Sequence, residues 1–290
     1  MATMSRRASV RRALIAFAFL CILAYGGGML WLVANETRLV FQGGRPLGDA
    51  RPAAPFELID VPRADGARQM ALKMPHRDTE SMPWLLYLHG NASTIASRQN
   101  ISRDERLRAL GLNVLAVEYR GYAGLAGVPS EQAVTADARA GYDYLREALH
   151  VPAERIVIYG WSLGSAVAVN LASTVAQGAV ILEGAPASLV AIGQRQYPYV
   201  PIRLLMRNPF DSILKVERIH APMLFLHSPE DEVIPIAEGR RLFDAANEPK
   251  AFVEVKGGHI YSSDTDPATF YGAIRDFLTR AQLIVSSPEH

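Results

Sequence analysis

Gly160-Trp161-Ser162-Leu163-Gly164 follows an apolar run, Ile156-Val157-Ile158-Tyr159, and leads into a helix-prone one, Ser165 to Ala176. A serine between two glycines on a tight strand-to-helix turn is a nucleophile elbow. The turn strains the serine backbone and lifts its hydroxyl clear, and side chains on either flank would collide with neighbouring backbone. A serine hydroxyl is a weak nucleophile at neutral pH and needs a base. His259, in Gly257-Gly258-His259, is the candidate, because an imidazole both accepts and returns a proton near pH 7. Asp231 would fix its tautomer and stabilise the imidazolium. Glu183 is the alternative acid, since Asp231 lies between Glu230 and Glu232 and that stretch also reads as a solvated acidic turn. Charge developing on an attacked carbonyl oxygen calls for waiting backbone N–H groups. Leu163, directly after the serine, and Asn91, after His89-Gly90, are placed to supply them.

These residues need a scaffold that brings them together, and the pattern supplies one. Phe56–Val61 and Gln69–Met74 read as short strands around a turn at Asp65-Gly66. Further strands are expected at Trp84–Leu88, Asn113–Glu118, from Ile156, at Ala179–Leu182, Met223–His227 and Ala251–Val255. Helices are expected up to Leu110, with Gly111 just past its end, from Ser130 as N-cap to about Leu149, after the elbow, and from Asp266-Pro267. Continuous apolar strands separated by helices imply an α/β fold with a mostly parallel central sheet and helices on both faces. In such sheets chemistry sits at the carboxyl ends of the strands. Ser162, Asp231 and His259 each fall in a loop after a strand. His89 and His227 are expected to shape backbone near the site, and Tyr119-Arg120-Gly121-Tyr122 to form a structural loop beside the pocket.

The first residues are different. Arg6, Arg7, Arg11 and Arg12 precede an uncharged apolar run long enough to cross a bilayer as a helix. The expected organisation is a cytoplasmic basic tail at 1–12, a transmembrane signal anchor at 13–34 and a linker at 35–55 rich in Gly, Pro, Arg and Ala toward its end. A catalytic domain at 56–282 and a tail at 283–290 complete it. The arginines put the domain on the non-cytoplasmic side, periplasmic in a bacterium, with Trp31 near the far interface. A cleaved signal peptide is the rival reading, but no clear A-x-A site closes the run. Net charge +1 gives no reason to expect nucleic acid. One cysteine, Cys21, excludes a disulfide within the chain, and seven scattered histidines suggest neither metal nor cofactor. Oligomeric state is not legible.

Six motifs in order carry a resemblance: Tyr87-Leu88-His89-Gly90-Asn91-Ala92, Glu118 to Tyr122, Pro129-Ser130-Glu131, Tyr159 to Ser165, Asp231 to Pro235 and Gly257-Gly258-His259. From about Phe56 to Leu278 the chain resembles the α/β-hydrolase subgroup of Bem46-, ABHD13- and ABHD17-like serine hydrolases. The resemblance implies the α/β-hydrolase fold, a triad of Ser162, Asp231 and His259, and membrane-anchored members, some acting on acylated cysteines. Ala123, Leu125, Glu183-Gly184-Ala185-Pro186 and Ile260 depart from the family pattern beside the acyl and leaving-group pockets. A short lid is expected at Gly184–Pro222, with an apolar segment from Tyr197 to Pro201. Trp161, Tyr122, Tyr197 and Ile260 are the candidate substrate-pocket residues. The expected activity is hydrolysis of carboxylic esters or thioesters of a small-molecule or acylated substrate through an acyl-enzyme. A peptidase or amidase on the same triad, acyl transfer to another acceptor, and a catalytically silent binding protein are the alternatives.

Overall fold

The computed structural model of the chain describes residues 2–78 and 81–285. Eight strands form one sheet: β1 (Glu57–Pro62), β2 (Arg68–Met74), β3 (Trp84–Leu88), β4 (Asn113–Val117), β5 (Ile156–Trp161), β6 (Ala179–Glu183), β7 (Met223–His227) and β8 (Lys250–Glu254). Their order is β1-β2-β4-β3-β5-β6-β7-β8. β2 is antiparallel to both neighbours, and every other pairing is parallel. β3 to β7 are buried at every position, as parallel strands covered on both faces must be. β1 is a mostly exposed edge.

The strand period of two sorts side chains between two cores. Leu86, Leu88 and Ile158 pack under the face that carries α3 (Glu131–Asp143), α4 (Leu163–Ala172) and α7 (Ile236–Ala245). Leu85, Tyr87, Val157 and Tyr159 pack under the face of α2 (Arg98–Ala109) and α9 (Pro267–Arg280). α4 is buried all round, which suits a helix apolar on every side. Caps fall where the sequence places them: Ser130 accepts from Ala133 N–H, and Asp266 accepts from Thr269 N–H with Pro267 opening α9.

Several elements differ from expectation. α3 stops at Asp143 and continues as a π turn, Tyr144–Ala148. α4 ends at Ala172, where the hydroxyls of Ser173 and Thr174 donate to the carbonyls of Asn170 and Leu171. Such side-chain bonds compete with further helix. α7 was not anticipated, and a single turn, α8 (Ser262–Thr265), precedes α9. The segment expected as a lid folds as α5 (Leu189–Gln196) and α6 (Ile202–Leu205) with two short 3-10 turns.

The N-terminal helix, α1 (Ala2–Val40), is by length and composition able to cross a bilayer. It contains the span expected at 13–34 and runs beyond it, so 35–55 is not the free linker its composition suggests. Glu36 and Phe41 are buried, and the Phe41 ring meets that of Phe210 at 6.0 Å. Past the helix, Pro46 bridges Ala123, Gly48 N–H donates to Thr94 Oγ1 and Arg108 donates to the carbonyls of Ala53 and Pro55. Lack of regular structure here does not mean lack of contacts. At the other end Leu283 is buried in the second core, so the domain extends into the segment expected as a tail; residues 286–290 lie outside the described ones. Leu283→Ala should therefore cost about 2–5 kcal/mol, read from chemical unfolding of the full chain in detergent. A negligible loss would place Leu283 outside the core.

Candidate active site

The elbow is dictated by close approach. A Cβ at residue 164 would lie 2.0 Å from the Leu88 carbonyl oxygen, and one at residue 160 would lie 2.2 Å from that of Gly164. Only glycine lets β5, α4 and β3 come this near. Between them Ser162 takes φ +55 and ψ −119, a conformation that costs a side-chain-bearing residue ~1–3 kcal/mol. Neighbours hold it there: Ser162 N–H donates to the Glu183 carbonyl at 2.8 Å, and Ser165 Oγ donates to the Ser162 carbonyl at 2.6 Å.

His259 follows β8 on a loop where Gly257 and Gly258 have φ +104 and +67. Its Nε2 stands 2.8 Å from Ser162 Oγ and its Nδ1 2.7 Å from Asp231 Oδ2. The carboxylate assigns the tautomer: Nδ1–H donates to Asp231, leaving Nε2 to accept the serine proton. Asp231 Oδ1 accepts the N–H groups of Val233 and Ile234 at 2.9 and 2.7 Å. Burial alone would raise the Asp231 pKa. His227, His259 and the Ile234 N–H outweigh it and hold the carboxyl well below the usual range. Glu230 and Glu232 accept N–H groups of Gly257 and His259 at 3.3 and 3.4 Å. Glu230 and Glu232 are themselves exposed, so the acidic turn faces solvent on its flanks while it fastens the histidine loop and turns the Asp231 carboxylate inward.

Glu183, the alternative acid, does not reach His259. Its Oε1 accepts from Arg103 at 3.0 Å and from Ser262 at 2.8 Å, and its Oε2 accepts from Tyr159 OH. Arg103 is fully buried, bonds Tyr87 OH and Ser263 Oγ, and lies 4.6 Å over the Trp161 ring. This network braces the end of β6 behind the elbow, and sequence reasoning missed it. An arginine in the highly charged helix 98–109 reads as a solvated face, and no sequence signal distinguishes it.

His89 is buried with Nε2 at 2.8 Å from Glu118 Oε1, while Glu118 Oε2 accepts Ile95 N–H. That pair shapes the loop carrying Asn91. Arg120 is held by Asp137 of α3 through its backbone and guanidinium N–H groups, which makes 119–122 the structural loop expected.

A cavity of about 360 Å³ opens at Ser162 and is lined by Asn91, Leu163, Tyr197 and residues of α1. Three of the four candidate pocket residues are elsewhere. Trp161 follows the strand alternation into the second core, with Nε1–H donating to the His259 carbonyl at 3.3 Å. Tyr122 is buried and donates to Asn91 Oδ1 at 2.7 Å, so it orients the loop rather than touching the cavity. Ile260 is an exposed loop residue whose carbonyl accepts from Gln99. Only Tyr197 lines the cavity. Among the described residues no group of His, Cys, Asp and Glu is disposed to hold a metal ion.

Strand order, elbow and the alignment of serine, histidine and aspartate at the carboxyl edge define an α/β-hydrolase fold. Residues 67–248 match the family described as "Chlamydia CHLPS protein (DUF818)". A Mycobacterium tuberculosis protein of no assigned function is 35% identical over 276 residues, 94% of this chain and 97% of its own. The bem46 protein of Schizosaccharomyces pombe is 31% identical over 71% of each chain. The esterase Pf2001 of Pyrococcus furiosus shares the fold, with a TM-score of 0.66 at 17% identity over 83% of this chain and 98% of that one. The chain belongs to the α/β-hydrolase superfamily, in the group of Bem46-like domain proteins.

The depressed Asp231 pKa has a measurable sign. The native value lies below the ~3.9 of an unfolded aspartate, so its stabilisation is complete above that pH and is lost as pH falls toward the native value. The stability difference between wild type and Asp231→Asn, from urea unfolding, should narrow as pH drops from about 5 to about 3. A constant difference over that interval would contradict the assignment.

Proposed function

We propose that the protein is a membrane-anchored serine hydrolase that cleaves carboxylic esters or thioesters through an acyl-enzyme. One observation carries the reading: Ser162 Oγ, the His259 imidazole and the Asp231 carboxylate stand in line at 2.8 and 2.7 Å. Ser162 Oγ attacks the carbonyl carbon while its proton passes to His259 Nε2. The oxyanion so formed accepts from the backbone N–H groups of Leu163 and Asn91, both at the cavity beside Ser162. Collapse breaks the bond to the leaving group, which takes the proton from Nε2–H. Water, deprotonated by the same nitrogen, then attacks the acyl-enzyme; the Oγ–acyl bond breaks, Ser162 Oγ takes the proton back from Nε2–H, and the carboxylic acid leaves. Asp231 holds Nδ1–H throughout and stabilises the imidazolium.

The remaining assignments follow the chemistry of the chain. Residues 13–34 cross the bilayer, the arginines at 6, 7, 11 and 12 stay cytoplasmic, and the catalytic domain stands on the other side. The cavity's mainly apolar lining suits the acyl part of the substrate.

A fluorophosphonate probe should label the full chain in detergent micelles, and labelling should vanish in Ser162→Ala and His259→Ala. Asp231→Asn should lower kcat on an activated ester by about 10⁴-fold, because the wrong tautomer then faces the serine. A folded wild-type protein that takes no label would overturn the reading.

A further inference from the structure

The cavity at Ser162 is not built by the hydrolase domain alone. Leu32, Val33, Glu36, Leu39 and Val40 of α1 line it, and their spacing is that of one helical face. This face is pinned in two places. Glu36, 6% exposed, accepts from Arg207 N–H and Asn208 N–H at 2.8 Å each, from Asn208 Nδ2 at 3.0 Å and from Arg207 Nε at 2.7 Å. Arg207 Nη2 also donates to the Val33 carbonyl at 2.9 Å. These charge-assisted bonds clasp α1 to the end of the cap segment. The second pin is Asn91. Its Nδ2 donates to the Val40 carbonyl at 2.8 Å, one of the last carbonyls of α1, and its Oδ1 accepts Gln42 N–H at 2.8 Å. The helix end is thus tied to the same loop that borders Ser162.

The cap also reaches along α1 toward its apolar middle. Tyr25 OH donates to the Tyr199 carbonyl, and Tyr25 lies well inside the apolar run that ends at Ala34, about 14 Å up the helix from it. Tyr199 and Leu204 are 87% and 83% exposed. Large apolar side chains this open belong against hydrocarbon when the helix beside them crosses a bilayer.

We propose that the last turns of α1 are the acyl-chain wall of the active site, so that chain-length selection is set by the membrane anchor. The substrate is an ester carrying one long acyl chain, taken up from the leaflet between α1 and the cap. Val33 and Leu32 set the length accepted, and Glu36 is the positioning residue that keeps the wall in place. A volume of about 360 Å³, near the lower end of ligand sites at ~300–1,000 Å³, fits one chain rather than two. The proposal rests on Ser162 as the acylated nucleophile and on α1 as a bilayer span.

The test uses the full chain in dodecyl maltoside micelles with 4-methylumbelliferyl butanoate, decanoate and hexadecanoate. Val33→Trp narrows the cavity and should lower the hexadecanoate-to-butanoate ratio of kcat/KM about tenfold, and Val33→Ala should raise it. Opposite shifts cannot arise from misfolding. Leu20→Trp, on the exposed stretch of the same helix, should leave the ratio unchanged. Both Val33 shifts should shrink in a Glu36→Ala background, because the unclasped wall no longer sits on the cavity. Delivered in vesicles of ether-linked phosphatidylcholine, palmitoylglycerol should be consumed by the wild type. Ratios unmoved by either Val33 substitution, in a protein that a fluorophosphonate labels and that turns over esters, would overturn this inference alone. Cleavage only of a palmitoyl-cysteine peptide at the same vesicles would overturn the lipid assignment. Absence of labelling in the folded wild type would overturn it together with the hydrolase reading.

Discussion

The carbonyl oxygens of Leu88 and His89 sit so close to Gly164 that a Cβ there would come within 2.0 and 2.6 Å of them. That approach fixes how tightly α4 lies on β3 and β5, and with it the turn on which Ser162 stands. The turn in turn sets everything that must meet the serine. Its N–H is committed to β6 through the Glu183 carbonyl, so the end of β6 cannot move without moving the hydroxyl. A residue at φ +55 persists only when its surroundings over-determine it. Here two glycines, a serine hydroxyl and a neighbouring strand do so.

Behind that turn the fold buries polar pairs. Arg103 with Glu183 is an essentially inaccessible ion pair, and His89 with Glu118 is an equally buried hydrogen-bonded pair. Pairs of this kind cost desolvation and are not themselves a reason for high stability. Their geometry is the gain, since each carboxylate also accepts further N–H or O–H donors that belong to active-site loops. Glu118 ties down 89–95 through Ile95, and Glu183 ties down the turn after His259 through Ser262. Both oxygens of each carboxylate accept hydrogen bonds, which stiffens it in a low dielectric although Arg103 Nε is left without a partner among the described residues. Stiffness is what a site aligned to a few tenths of an ångström requires.

The N-terminal helix changes what counts as the domain. A segment whose composition marks it as an anchor followed by a spacer supplies a buried glutamate, a core phenylalanine and part of the cavity lining. The cap is correspondingly small, with α5 and α6 together covering a site that α1 closes on another side. The cap, the N-terminal helix and the loop that carries Asn91 share one set of contacts around Glu36, Asn91 and Val40.

Local signals in the chain were enough for the strands, the elbow serine and the histidine loop. Glycine spacing, caps and apolar runs act within a few residues and leave their mark directly in sequence. The choice of Asp231 over Glu183 was of another kind, because both follow apolar strands. It is decided by Arg103, Tyr159 and Ser262, which consume the Glu183 carboxylate from distant parts of the chain. The cavity walls were illegible for the same reason. Trp161 and Ser162 are neighbours in sequence, yet the strand period sends one into the core and the turn sends the other into the pocket. Residues 35 to 40 read as linker because Asn35, Glu36 and Arg38 end the apolar run, and nothing local in the sequence names the cap as the partner of Glu36. Hydrophobic and hydrogen-bonding patterns along a chain determine which elements form and which sides they bury. Which side chains then meet depends on contacts between residues far apart in sequence, and these exist only once the sheet has assembled.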